Sequence, residues 1–278
     1  IYVILTVSTN LLVGMANLLS LGQAAFYGIG AYVAVFVITI LKMPLIPTII
    51  SVMIITAIFS LLIALPSLRL KNDYFVLATL GFQMVVFTVL YNWSDVTGGP
   101  SGIPNINAPK TLGVIAINGR IHFLAVSLAM MGLTIYVFNK LIDSPFGRVL
   151  RGLRDDELAV VSLGKDIASF RLWTFVISSG FIGMAGMLYA TYITYIDPTS
   201  FNLDEAIFIL AAVLIGGTGK GAGPIYGAIF VVILPEILRF VGLPDIVAAN
   251  MRQIIYGLVL IYLMLWRQQG IAGEYQVE

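Results

Sequence analysis

Cysteine is missing from this chain altogether, and histidine occurs once, at His122. The first absence excludes disulfides, thiolate metal sites and cysteine nucleophiles. The second removes most metal and acid–base constellations, which need two or more such groups. His122 stands at the start of an apolar run, where a lone histidine reads as a hydrogen-bonded boundary residue. Charge is scarce too: 10% of the residues are Asp, Glu, Lys or Arg, against about 25% in a soluble protein. The net charge is +1 and the basic residues form no stripe that could track phosphates, so nucleic acid is not a partner.

What is abundant is oil. Hydrophobic residues make up 59% of the 278, and the mean hydropathy is +1.00. An all-α, polytopic transmembrane bundle follows, because in lipid a spanning segment must satisfy its own backbone. Spans of about 20 apolar residues are expected at 1–19, 24–41, 45–66, 74–91, 121–140, 172–193, 205–216, 224–241 and 250–266. The seventh is short and ends in GGTGKGAG, the pattern of a broken or re-entrant helix. The chain opens at Ile1 within an apolar run, without an initiator Met or a signal-peptide pattern, and a preceding piece is expected.

Asp143 to Arg171 is the one long polar stretch, with Arg148, Arg151, Arg154, Lys165 and Arg171 beside Asp155, Asp156, Glu157 and Asp166. If this loop is cytoplasmic, then Arg69, Lys71, Lys140, Lys220 and Arg267 join its five basic residues inside. That makes ten of the fifteen Lys and Arg, leaving Lys42, Lys110, Arg120, Arg239 and Arg252 outside. A loop that concentrates charge in this way is suited to a soluble partner. Arg148, Arg151 and Arg154 recur every three residues and share a helix face, which suits anionic lipid or acidic side chains of such a partner.

The longest external connection, 92–120, is punctuated by Gly98-Gly99-Pro100 and Gly102, and its isoleucines predict that part of it dips into the protein. Asn10, Asn17, Gln23 and Gln83 lie in or beside apolar runs and are expected to face other helices. Gly219-Lys220 invites a phosphate-loop reading, but that loop needs Gly where Leu214 stands and Ser or Thr where Gly221 stands. ATP is not bound there, and the glycines serve close packing or an irregular turn.

LSLGQAAFYGIGAY (19–32), NDYFVLATLGF (72–82), NWSDVTGGPSGI (92–103), the charged loop and IGGTGKGAGPIYGA (215–228) occur in an order that resembles the permease subunits of ABC importers for branched-chain amino acids. TGGPSGI looks more like the M-type subunit than its H-type partner. The resemblance covers about Leu11 to Trp266. It implies one transmembrane permease domain over 1–278, with a coupling loop at 141–171 and an external loop at 92–120. It also implies a second permease subunit, two cytoplasmic ATP-binding subunits, an extracytoplasmic substrate-binding protein and a bacterial or archaeal plasma membrane, the inner one in Gram-negative cells. No catalytic residue, metal or cofactor is implied.

Carried onto this sequence, the coupling residues are Arg151, Arg154, Asp155, Asp156, Glu157, Leu158, Ala159 and Gly164. Their helix is expected over Asp155 to Leu163, with both aspartates at its N-terminus and Gly164 just past its end. Leu158, Val161 and Ser162 would form its docking face. The wider importer class often has Glu-Ala-Ala, three residues, then Gly; here Glu157-Leu158-Ala159 precedes Gly164 by four, a departure from that pattern at the contact residues. Gln83, Thr97, Gly98, Gly99, Gly102, Gly216, Gly217 and Gly219 are the candidates for a translocation path or for irregular segments. Importers of urea, short amides or other amino acids would look alike at this level. An ion-coupled transporter or an intramembrane enzyme fits less well, because no ionisable side chain lies at the centre of an expected span.

Overall fold

The computed structural model describes residues 1–67, 72–106, 110–111, 115–116, 120–219 and 222–240, with short stretches at 251, 254–255, 257–259, 261–262 and 270–272. In chain order, α1 (Tyr2–Asn10) continues into a π-helical turn, Leu11–Met15. There follow α2 (Gln23–Thr39), α3 (Leu45–Ser67), α4 (Asn72–Asn92) and the single-turn α5 (Ser94–Thr97). A small antiparallel pair, β1 (Lys110–Thr111) and β2 (Ile115–Ala116), precedes α6 (Arg120–Asp143). The chain then forms α7 (Pro145–Asp155), α8 (Glu157–Ser162), α9 (Ile167–Ile193), α10 (Leu203–Gly216) and α11 (Gly223–Phe240).

Eight of the nine expected spans are therefore helices, and the polytopic helical bundle is what the composition requires. The ninth, 250–266, lies mostly outside the described residues, as do Arg69, Lys71, Lys220, Arg252, Arg267 and the side chains of Lys110, Arg120 and Arg239. The first span is shorter than expected: helix stops at Met15, and Asn17 sits exposed in a left-handed turn rather than against another helix.

Among the described residues four helices are long and apolar enough to cross a membrane, in α3, α4, α6 and α9. The shorter apolar runs include Tyr2–Met15 and Gln23–Thr39. At 1.5 Å per residue the 14 residues of α10 reach about 21 Å, short of a hydrocarbon core of about 30 Å.

The bundle is built around α9, which packs most extensively against α2 and α3. Its membrane window is 78% buried, against 11% for that of α6. In lipid no hydrophobic force draws apolar helices together, so small residues that let backbones approach take its place. A Cβ on Gly30 of α2 would fall on the backbone of Gly183 of α9, and one on Gly183 would strike Thr56 of α3. The exposure of α3 shows the same logic. Ile46, Ile50, Ile54, Ile58 and Leu62 recur every four residues and point outward, while Thr48, Val52, Thr56 and Ser60 are buried. On this helix the outward side chains are large, and most of the buried ones are small.

The 27 residues of α9 span about 40 Å and so define two ends of the molecule. One end holds α7 and α8. At the other, the expected dip of the external connection is seen at Ile103 and Ile106. Their amides donate to Ile196 O at 2.8 Å and Thr194 O at 3.0 Å, and Ile106 is buried. Leu112, Val114 and Ile117 lie outside the described residues.

Candidate functional site

The charged loop folds as two short helices, not one. Ser144 accepts from the Gly147 amide and Pro145 takes the first position, which starts α7 early. Leu150 and Leu153 are buried on one side of α7, and Arg148 is exposed on another. Because α7 runs through Asp155, that residue closes the first helix and does not open the second, correcting the expected Asp155 to Leu163 helix. Asp156 alone caps α8, its Oδ1 accepting from the Ala159 amide at 3.1 Å. Gly164 does stand just past the helix end, at φ +72°, its amide donating to Val161 O at 2.8 Å.

On α8, Val160 turns inward while Leu158 and Leu163 remain 78% and 77% exposed and Val161 53%. Ala159 and Ser162 are exposed as well. A face this apolar on a capped, polar loop lacks the cover that its composition calls for. Glu157 grips Arg171 of α9 in a fork, with N–O distances of 3.0 and 3.3 Å, which fastens α8 to the central helix. Arg151 donates to Ile142 O at 3.4 Å. Arg154 turns into the protein instead of toward solvent: its guanidinium donates to the Gly14 carbonyl in the π-helical turn and to Thr218 Oγ1 at 3.5 Å.

Asp166 caps α9 and is fully solvated. The Ser169 hydroxyl, followed by the Ser169 and Ala168 amides, holds its carboxyl below the ordinary value of 3.8. A depressed folded value stabilises above the unfolded pKa and is lost as pH falls through the folded one. Asp166→Ala is therefore expected to lower the melting temperature at pH 7, and the gap to wild type should close in melts taken progressively below pH 3.8.

Seven of the eight candidates for a path or for irregular segments separate into two groups, one at each end, and Gln83 stands midway along α4. Thr97, Gly98, Gly99 and Gly102 form one tight knot. Thr97 Oγ1 shares its one proton between Leu90 O and Trp93 O and accepts from the Gly99 amide at 3.2 Å. Gly98, at φ +75°, closes α5 so near Gly102 that a Cβ there would strike the Gly102 carbonyl. Gln83, wholly buried on α4, donates to Phe201 O at 2.8 Å, and no described residue partners its Oε1. Phe201 sits within rings from Tyr27, Tyr32 and Tyr189.

At the other end Gly216 closes α10 and Gly217, at φ +99°, takes the chain out of it. Gly219 is clasped by Asn10 of α1, which donates to its carbonyl at 2.8 Å and accepts from its amide at 3.1 Å. The expected close packing is present, since a Cβ on Gly216 would fall on the Gly223 carbonyl and one on Gly223 on the Gly217 carbonyl. Sequence reasoning placed Asn10 against another helix but missed Gly14 and Thr218. A glycine and a threonine in apolar surroundings carry no local mark of an arginine that arrives from 140 and 64 residues away.

The family model for branched-chain amino acid transport system permease components matches residues 1–264. The chain is 33% identical to the high-affinity branched-chain amino acid transport system permease protein LivM of Escherichia coli, over 98% of this chain and 67% of that one. It is 28% identical to the probable LivM of Methanocaldococcus jannaschii, over 76% and 63%. The autoinducer 2 import system permease protein LsrC of Salmonella typhimurium is 27% identical over 69% and 54%. No solved structure matches the chain significantly. An ordered match over nearly the whole length, on a bundle of spanning helices with a capped polar loop, places this chain in the family of branched-chain amino acid transport permeases.

Proposed function

We propose that this chain is the transmembrane permease subunit of an ATP-driven importer for branched-chain amino acids, one domain over 1–278 that forms part of the translocation pathway. The observation that carries this reading is the exposed apolar face of α8, Leu158, Val161 and Leu163, held at one end of the bundle by the Asp156 cap and the Glu157–Arg171 fork. In this reading 141–171 is the coupling loop, α8 seats in a cytoplasmic ATP-binding subunit, and ATP hydrolysis there tilts the helices between outward-open and inward-open states. Arg148, exposed on α7, reaches anionic lipid or the same subunit. A second permease subunit completes the pathway. An extracytoplasmic binding protein delivers cargo near the 92–120 connection, and selection by that protein fits a chain that spends little charge within its spans. The membrane is the plasma membrane, the inner one in a Gram-negative host.

The test is to tag the protein in its native host, purify it in mild detergent and identify its companions by mass spectrometry. The expected result is a second permease with two ATP-binding subunits, and a co-encoded binding protein that binds leucine, isoleucine and valine in titration. A homo-oligomer free of any ATPase would refute the reading. A binding protein that takes urea or another amino acid instead would keep the importer and change the cargo.

A further inference from the structure

We infer that Arg154 is a positioning residue for transport, a latch that carries movement of the coupling loop to two interrupted helices; this rests on the importer reading above. Two helix ends stop inside the bundle near one another. The first is the π-helical turn Leu11–Met15 at the end of α1, and the second is Gly216–Gly219 after α10. Near their outer ends the same two helices are joined by Tyr2, whose hydroxyl donates to Glu205 Oε1 at 3.0 Å. At their inner ends Asn10 clasps Gly219 through both amide atoms.

Helix C-termini carry partial negative charge on unspent carbonyls, and π-turns inside α-helices collect at functional positions. A guanidinium, with donors in a rigid fork, is suited to bridge two such ends. Arg154 does so: it binds the Gly14 carbonyl of one and the Thr218 hydroxyl of the other, and Thr218 is 1% exposed. Gly14 has to be glycine for this geometry, because a Cβ there would strike Asn10 Oδ1 and lie 3.0 Å from the Gly219 amide.

The other side of the latch leads to the loop. Arg154 is two residues before Asp156, the cap of α8, so a force on α8 is transmitted along two residues of backbone to the guanidinium. Glu157 and Arg171 couple the same short helix to α9. Beside the clasp lies a cavity of about 370 Å³ bordered by Asn10, Gly219, Phe138, Asn139 and Asp143, which leaves the two helix ends room to shift. The arrangement moves α1 and α10 as a pair when α7 moves.

The experiment uses the complete complex in proteoliposomes with ATP inside and radiolabelled leucine and the binding protein outside, recording leucine moved and ATP hydrolysed. Arg154→Gln is expected to keep ATP hydrolysis within about twofold of wild type and to lower leucine moved per ATP by at least about tenfold, with Arg154→Lys recovering part of the ratio. A wild-type ratio in Arg154→Gln overturns the latch, and so does an equal fall of both activities with a lowered melting temperature. Should Arg154→Gln fail to assemble, Arg154→Lys decides: an intermediate ratio supports the latch and an unchanged one overturns it. If the wild-type complex moves with ATP neither leucine nor any other solute that its binding protein takes, the importer reading fails and not the latch alone.

Discussion

Gly30→Leu is expected to cost at least about 3 kcal/mol, the top of the range for overpacked cores, and to lower the melting temperature of the detergent-solubilised protein by roughly 6–12 °C. The reason is the identity of the atoms in the way. A Cβ on Gly30 would meet the Cα, carbonyl carbon and carbonyl oxygen of Gly183, all of them backbone. Side chains can rotate aside, whereas a helix backbone can move only as a body. α2 and α9 form the most extensive helix pair, and α9 in turn receives α3 through Gly183 and Thr56, so separating one pair loosens three helices. Gly132→Ala in α6 is the control: no atom lies within 4 Å of a Cβ there, and the melt should not fall. A Gly30→Leu protein melting within about 2 °C of wild type would show that this contact does not hold the bundle together.

The double variant Leu158→Asp with Val161→Asp is expected to reduce ATP-driven uptake by more than about tenfold while leaving the melting temperature unchanged. Both side chains are more than half exposed, so neither is needed for the fold of this chain. Against a soluble partner they would form the centre of a contact, and a carboxylate desolvated there without a counter-charge costs several kcal/mol. A loss of about 1.4 kcal/mol already weakens binding tenfold. Val160→Asp, one position away, should instead destabilise the protein itself, because Val160 is 6% exposed. Uptake by the double variant at the wild-type rate would sink the proposed docking of α8.

How much of this could be read from residues alone differs from feature to feature. The helical spans were legible because lipid demands about 20 apolar residues with internally satisfied backbone. That signal is local and continuous. Gly164 was legible for a similar reason, since a left-handed residue after a short polar helix is a one-residue requirement. Asp155 was misread because two capping signals compete within a dozen residues, and the earlier Ser144-Pro145 starts a helix long enough to absorb it. The early end of the first span, where the π-helical turn stops at Met15, gave no hydropathy signal, as Leu18 and Leu19 are as apolar as the helix before them.

From its sequence alone this protein is determined to be a membrane-spanning helical bundle with one polar loop at one end and glycine-rich interruptions in its apolar runs, because each of these depends on the composition of a short window. Only the tertiary structure decided which apolar face is buried in the bundle and which faces outward, and that Glu157 belongs to Arg171, Gln83 to Phe201, and Arg154 to Gly14 and Thr218. The physical reason is that lipid and protein interior are equally apolar. Hydropathy therefore cannot tell them apart, and the choice falls to close backbone approaches and polar contacts between residues as far apart as Asn10 and Gly219.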